Sequence, residues 1–155
     1  MTQKNSEWTR VEGAMPDNWT QRTVQKRKPR VLLADDELHI RALMKAVMAS
    51  MKCEVVGEAK NGQEALDMFR REKPELLLLD INMPVKTGEE VLKEITSEFP
   101  DAFVIMLTSV ADAESVETCL NFGAATYIRK DTPLEDMKKI IKETWETFRK
   151  VRSEK

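Results

Sequence analysis

From residue 30 onward, short apolar runs alternate with amphipathic stretches, and the alternation occurs five times. The runs are Val31-Leu32-Leu33-Ala34, Glu54-Val55-Val56-Gly57, Leu76-Leu77-Leu78-Leu79, Ala102 to Leu107, and Ala125 to Arg129. Three of them are continuously apolar, as strands covered on both faces should be. After the first run, Ile40, Leu43, Met44, Val47, Met48 and Met51 recur at steps of three and four, which makes one apolar stripe of a helix. The same spacing returns in Ala65, Leu66 and Phe69, and in Val91, Leu92, Ile95 and Phe99. Two more stripes follow: Ala113, Val116 and Leu120, then Leu134, Met137, Ile141, Trp145 and Phe148. The methionines on these stripes therefore read as core filler. Thr87-Gly88-Glu89-Glu90 and Thr132-Pro133-Leu134-Glu135 each set a hydroxyl three residues before a glutamate, a helix-start signature, and the second puts proline at the first helical position.

Five βα repeats predict an α/β domain: a five-stranded parallel sheet, doubly wound with five helices, every crossover right-handed. Sites in such sheets lie at the carboxyl ends of the strands, near the switch in strand order. The residues at those ends are chemically unusual. The first strand runs into Asp35-Asp36 with Glu37 behind them, the third into Asp80, the fourth into Thr108-Ser109 and the fifth into Lys130. Carboxylates converging on one edge repel unless something positive sits among them. A hard divalent cation satisfies that need, and magnesium commonly bridges one or two carboxylates to a phosphate. Lys130 supplies an ammonium for one phosphate oxygen, Thr108 a hydroxyl for another, and a carboxylate can act as nucleophile. Singly, an Asp at a strand end is a cap and a Lys a solvated charge; their joint occurrence is what points to a phosphoryl site.

Length and composition bound the rest. At 155 residues, 41% hydrophobic and 34% charged, the chain reads as one soluble domain with a tail. No apolar run approaches the roughly 20 residues of a membrane span, and no secretory signal is legible, so a cytoplasmic protein is expected. The net charge of −2 hides a division: residues 1–29 hold six basic and three acidic side chains, a surplus of +3, which leaves −5 for residues 30–155. Only seven of those 29 residues are apolar, without period, which predicts a flexible basic N-terminal extension ahead of a domain over residues 30–152. Trp8 and Trp19 nevertheless fall in it, and aromatic anchors near basic residues such as Lys26-Arg27-Lys28 can be docking elements. Cys53 and Cys119 are far apart, form no CxxC pair and have only His39 to join them, so both read as reduced, buried and structural.

Taken together, Asp35-Asp36, the segment Asp80-Ile81-Asn82-Met83-Pro84-Val85-Lys86-Thr87-Gly88, Leu107-Thr108-Ser109 and Tyr127-Ile128-Arg129-Lys130 resemble the response-regulator receiver family. The likeness covers about residues 30 to 150. It implies the flavodoxin-like strand order 2-1-3-4-5. It further implies that Asp80 is the phosphoacceptor and that Mg2+ is held by Asp35, Asp36, Asp80 and the backbone carbonyl of Asn82. Thr108 and Lys130 would contact the phosphoryl group, and Tyr127 would change rotamer as Thr108 moves. That movement remodels the face formed by helix 4, strand 5 and helix 5, which partners read. Asn82 and Val110, two residues beyond Asp80 and Thr108, would tune dephosphorylation.

The resemblance also implies that a partner histidine kinase or phosphotransfer protein supplies the phosphoryl group. His39, in the first turn of helix 1, is expected at the surface and not as a donor. One departure stands out: Asp131 follows Lys130 where the family has proline after a cis bond, and a non-proline cis bond costs roughly 3–4 kcal/mol. The expectation is thus a phosphoacceptor switch that assists its own phosphoryl transfer and dephosphorylation, and not an enzyme. It is expected to stand alone, as in chemotaxis or a phosphorelay, signalling by protein contact without direct nucleic-acid binding, as a monomer or a phosphorylation-dependent dimer. Alternatives are the receiver portion of a longer transcriptional regulator, or a receiver-shaped module independent of phosphate. A flavodoxin-like carrier is disfavoured because Asp35-Asp36-Glu37 would repel its phosphate. A haloacid-dehalogenase-type phosphatase needs an acid where Asn82 stands.

Overall fold

Each of the five apolar runs forms a strand, and each stripe a helix. The computed structural model describes residues 27–109 and 113–153; residues 1–26, 110–112 and 154–155 lie outside the described residues. Most of the expected flexible extension, with Trp8 and Trp19, and the tuning position Val110 therefore lie outside them. In chain order the elements are β1 (Arg30–Ala34), α1 (Leu38–Ser50), β2 (Glu54–Ala59), α2 (Gly62–Glu72), β3 (Leu76–Asp80), α3 (Gly88–Glu98), β4 (Val104–Thr108), α4 (Ala113–Asn121), β5 (Thr126–Arg129) and α5 (Leu134–Ser153). All neighbouring strands pair in parallel. Their order is β2-β1-β3-β4-β5, as expected.

Alternation along the strands divides the core in two. Leu32, Ala34, Leu77, Leu79, Val104 and Met106 face one way, against Leu66 and Phe69 of α2, Val91, Leu92 and Ile95 of α3, and Val116 and Cys119 of α4. Val31, Leu33, Leu76, Leu78, Ile105 and Leu107 face the other, against Ile40, Met44, Val47 and Met48 of α1 and Met137 and Ile141 of α5. Both faces of β3 are thus covered, which is why its run carries no polar residue before Asp80.

The start of α3 follows the sequence: Thr87 Oγ1 accepts from Glu90 N–H and Glu90 Oε1 accepts from Thr87 N–H, a reciprocal capping pair. At α5 the expectation shifts by one residue. The helix begins at Leu134, and Pro133 precedes it, its carbonyl accepting from Met137 N–H. Burial differs from expectation at four positions: Ala113, Leu120 and Leu134 of the expected stripes are exposed, and Cys53 is half-buried. On α4, Val116 and Cys119 face the core while Leu120 turns outward. Cys53 is half-buried and Cys119 buried, both free thiols.

Candidate functional site

Parallel register places the site before any side chain is considered. Ala34 pairs with Leu79, so the next residues, Asp35 and Asp80, emerge side by side where the strand order reverses between β1 and β3. Asp80 in turn pairs with Leu107, which sets Thr108 one step beyond it on β4. Thr108 pairs with Arg129, and Lys130 N–H donates to the Thr108 carbonyl at 2.8 Å, so Lys130 turns in over the same edge. The structure therefore brings together Asp35, Asp36, Asp80, Thr108 and Lys130.

Asp35 and Asp80 are 1% and 2% exposed, while Asp36 is exposed. Ligand oxygens of all three lie within 4.8 Å of one another. Among the described residues, Lys130 is the cation placed against these carboxylates. Its Nζ lies 2.8 Å from Asp35 Oδ2, 2.9 Å from Glu37 Oε1 and 3.3 Å from Asp80 Oδ1, with a side chain only 9% exposed. The Asp35 contact is a close approach of charges without hydrogen-bond direction. Asp35 Oδ2 and Asp80 Oδ2 are buried oxygens with no hydrogen-bond donor. The other oxygens are served locally: Asp35 Oδ1 accepts from Glu37 N–H at 2.8 Å and Asp80 Oδ1 from Asn82 N–H at 3.2 Å.

Burial and the charge of Asp35 push the Asp80 carboxyl up to about 7, against the smaller opposing pull of Lys130 and of the Asn82 N–H. Burial alone would lower the Lys130 ammonium; the carboxylates of Asp35, Glu37 and Asp80 outweigh it and hold the group above its ordinary range. The hydrogen bond from Lys130 holds Glu37 below the usual carboxylate range. One lysine does not neutralise this cluster. A donorless Asp80 oxygen and an Asp35 oxygen met only by Lys130, beside an exposed third acid, fit a hard cation with oxygen ligands, so the donor set suits Mg2+.

Two contributors, Arg41 and Gly88, were given no role from the sequence, whereas Glu37 was noted behind the acidic pair. Arg41 is buried on α1, where Nη1 donates to the Asp35 carbonyl at 2.6 Å and Nε to Glu58 Oε1 at 3.2 Å, pinning the acidic turn. A charged residue beside Ile40 and Met44 was the available signal. Glu37 is the third acid on Lys130. Gly88 abuts the site from behind: a Cβ there would stand 2.0 Å from the Asp80 carbonyl oxygen. Tyr127 lies on β5 with 39% of its surface exposed, and His39 is exposed as expected. No peptide bond among the described residues is cis, so Lys130–Asp131 is trans, and Lys130 reaches the acids from that geometry.

A doubly wound sheet with a buried carboxylate pair, a lysine and a threonine at its switch point defines a small α/β domain built around an acidic, phosphate-compatible edge. The chain belongs to the response regulator receiver domain family, whose model matches residues 31–142. It is 39% identical over 111 residues to the uncharacterized transcriptional regulatory protein YhcZ of Bacillus subtilis, covering 71% of this chain and 52% of that protein. To the chemotaxis protein CheY of Halobacterium salinarum it is 36% identical over 100 residues, covering 64% of this chain and 82% of that one. The CheY-like receiver domain protein of Methanospirillum hungatei superposes with a TM-score of 0.73 at 30% identity, over 79% of this chain and 98% of the other. The chain thus spans about half the length of some curated relatives, YhcZ among them, and most of others. Receiver domains are switches in two-component signalling and work with a histidine kinase or a phosphotransfer protein. Among the described residues no helix is long and apolar enough to cross a membrane.

Proposed function

We propose that residues 30–152 form a receiver switch in which Asp80 takes a phosphoryl group, with Mg2+ held by Asp35, Asp36, Asp80 and the backbone carbonyl of Asn82. The observation that carries this reading is the buried Asp35–Asp80 carboxylate pair at the switch point, with Asp80 Oδ2 accepting no hydrogen bond and Asp35 Oδ2 met only by Lys130. When bound, Mg2+ supplies positive charge that lets Asp80 ionise and offsets the phosphoryl oxygens. An Asp80 carboxylate oxygen then attacks phosphorus. Its O–P bond forms as the N–P bond of the donor phosphohistidine breaks, and the departing imidazole takes the electron pair. Lys130, protonated throughout, gives a phosphoryl oxygen a donor, and the Thr108 hydroxyl gives another. Asn82 and Val110 set water access for the return step, in which the domain assists its own dephosphorylation.

Output is proposed to run through protein contact on α4, β5 and α5. Leu120, Tyr127 and Leu134 expose apolar surface on those elements, and movement of Thr108 toward the phosphoryl group would draw Tyr127 inward. The 82% span of the chemotaxis relative supports the reading as a single-domain regulator, for which the proposal is action in the cytoplasm as monomer or phosphorylation-dependent dimer, without direct nucleic-acid contact. The 52% span of YhcZ favours a second reading, the receiver portion of a longer transcriptional regulator.

Intact mass after incubation with acetyl phosphate tests the mechanism. A gain of one phosphoryl group is expected only with Mg2+ and only with Asp80 intact. Equal labelling of Asp80→Asn would overturn the assignment.

A further inference from the structure

A groove of about 610 Å³ opens between α5 and the amino end of the sheet, far along the strands from the acidic edge. Its floor is apolar: Val31, Leu76, Met51, Cys53, Ile141 and Trp145. Basic side chains dominate its rim, where Lys138, Lys139, Lys142 and Arg149 stand against Glu135 and Glu146. The volume lies within the range of clefts that seat an aromatic ligand, and a half-buried Trp145 offers a stacking partner.

Pro29 also lines the groove, so the chain preceding β1 reaches the fold at its margin. Arg27, ion-paired to Glu75 at 2.7 Å, and Arg30, ion-paired to Glu72 at 2.8 Å, fix that point of entry. Residues 1–26 lead into it and carry Trp8 and Trp19, which the phosphoryl site does not use. Trp19 lies ten residues before Pro29, a reach of up to about 33 Å in extended chain. The groove runs beside α5 from Glu135 to Arg149, only about 21 Å of helix. Although the extension as a whole is basic, residues 11–21 around Trp19 carry Glu12 and Asp17 and no lysine or arginine, so this stretch complements the basic rim.

We propose that this groove is a docking site for the chain's own N-terminal segment, with Trp19 as the anchor on the apolar floor and Asp17 against the Lys138–Lys142 rim. Tethering makes the contact intramolecular, with an effective concentration in the millimolar range, so a modest aromatic contact suffices. The inference is independent of the phosphoryl mechanism.

Cys53 is a built-in reporter, since a seated segment shields a thiol on the floor, whereas Cys119 is buried elsewhere and serves as internal control. Alkylation of the full chain by iodoacetamide is followed by peptide mass at each cysteine. Trp19→Ala should accelerate Cys53 modification about threefold or more, the change expected when a segment docked two-thirds of the time is released. Lys138→Glu with Lys142→Glu should do the same, and Cys119 should stay slow in all variants. An unchanged Cys53 rate in Trp19→Ala overturns the proposal. Protection that grows with protein concentration also overturns it, because the occupant is then a second copy of the chain.

Discussion

The two ends of β1 and β3 treat charge in opposite ways. At the amino end, Arg30 donates its backbone N–H to Glu75 and pairs its guanidinium with Glu72, while Arg27 pairs with Glu75, so each acid there meets a base at the half-exposed rim. At the carboxyl end, five residues along β1, Asp35, Glu37 and Asp80 gather around a single Lys130 with Asp36 beside them, and Asp80 Oδ2 is left without a donor. The first arrangement is closed and complete. The second carries more negative than positive charge, which a cation is proposed to rebalance. One sheet thus carries matched ion pairs at one end and, at the other, an acidic cluster with a single lysine set among it.

That contrast can be broken at its most sensitive point by Lys130→Met. Removing the one base from a buried cluster should cost the metal-free protein roughly 3–5 kcal/mol in urea unfolding, most of it recovered when Mg2+ is added. A loss that Mg2+ does not repair would show that the lysine, and not a cation, is what the acids require.

Asp80→Asn should act in the opposite sense. Because the folded protein holds the Asp80 proton up to about pH 7 while the unfolded chain releases it near its ordinary value of 3.8, the unfolded state binds fewer protons between these limits, and stability falls as pH rises through them. Neutralising the residue should therefore stabilise the metal-free protein at pH 8, by something on the order of 2–4 kcal/mol, and flatten the decline between pH 4 and 8. An unchanged pH profile would mean that Asp80 is not under electrostatic stress.

The smallest effect belongs to the amino end. Glu75→Gln should change stability by no more than about 1 kcal/mol, since its partners are half-exposed and screened. Its response to Mg2+ should match the wild type; a clear difference would mean that the two ends of the sheet are coupled.

Periodicity was enough to place every strand within two residues, because a doubly covered parallel sheet writes its burial into continuous apolar runs. The site was legible for the same reason: Asp35, Asp80, Thr108 and Lys130 are strand-end residues, and register alone makes strand ends neighbours. What was not legible depends on distant atoms. Gly88 matters because the Asp80 carbonyl stands where its Cβ would be, and Arg41 looks like a misplaced charge on α1 until the Asp35 carbonyl is seen above it. Cys119 is buried as expected, but Leu120 beside it is exposed, which the spacing of apolar residues on α4 did not reveal. The trans bond at Lys130–Asp131 likewise could not be read from a residue that merely replaces a proline.

Phosphorylation at Asp80 alone is what the proposed switch requires of the acidic end of the sheet. Borohydride reduction of the acetyl-phosphate-treated, Mg2+-loaded protein, followed by peptide sequencing by mass, reads that residue directly, since an aspartyl phosphate is reduced to homoserine. The account predicts homoserine at position 80 and nowhere else in the chain. Homoserine at position 35 or 36, or none at all when the intact mass shows a phosphoryl group, would contradict it.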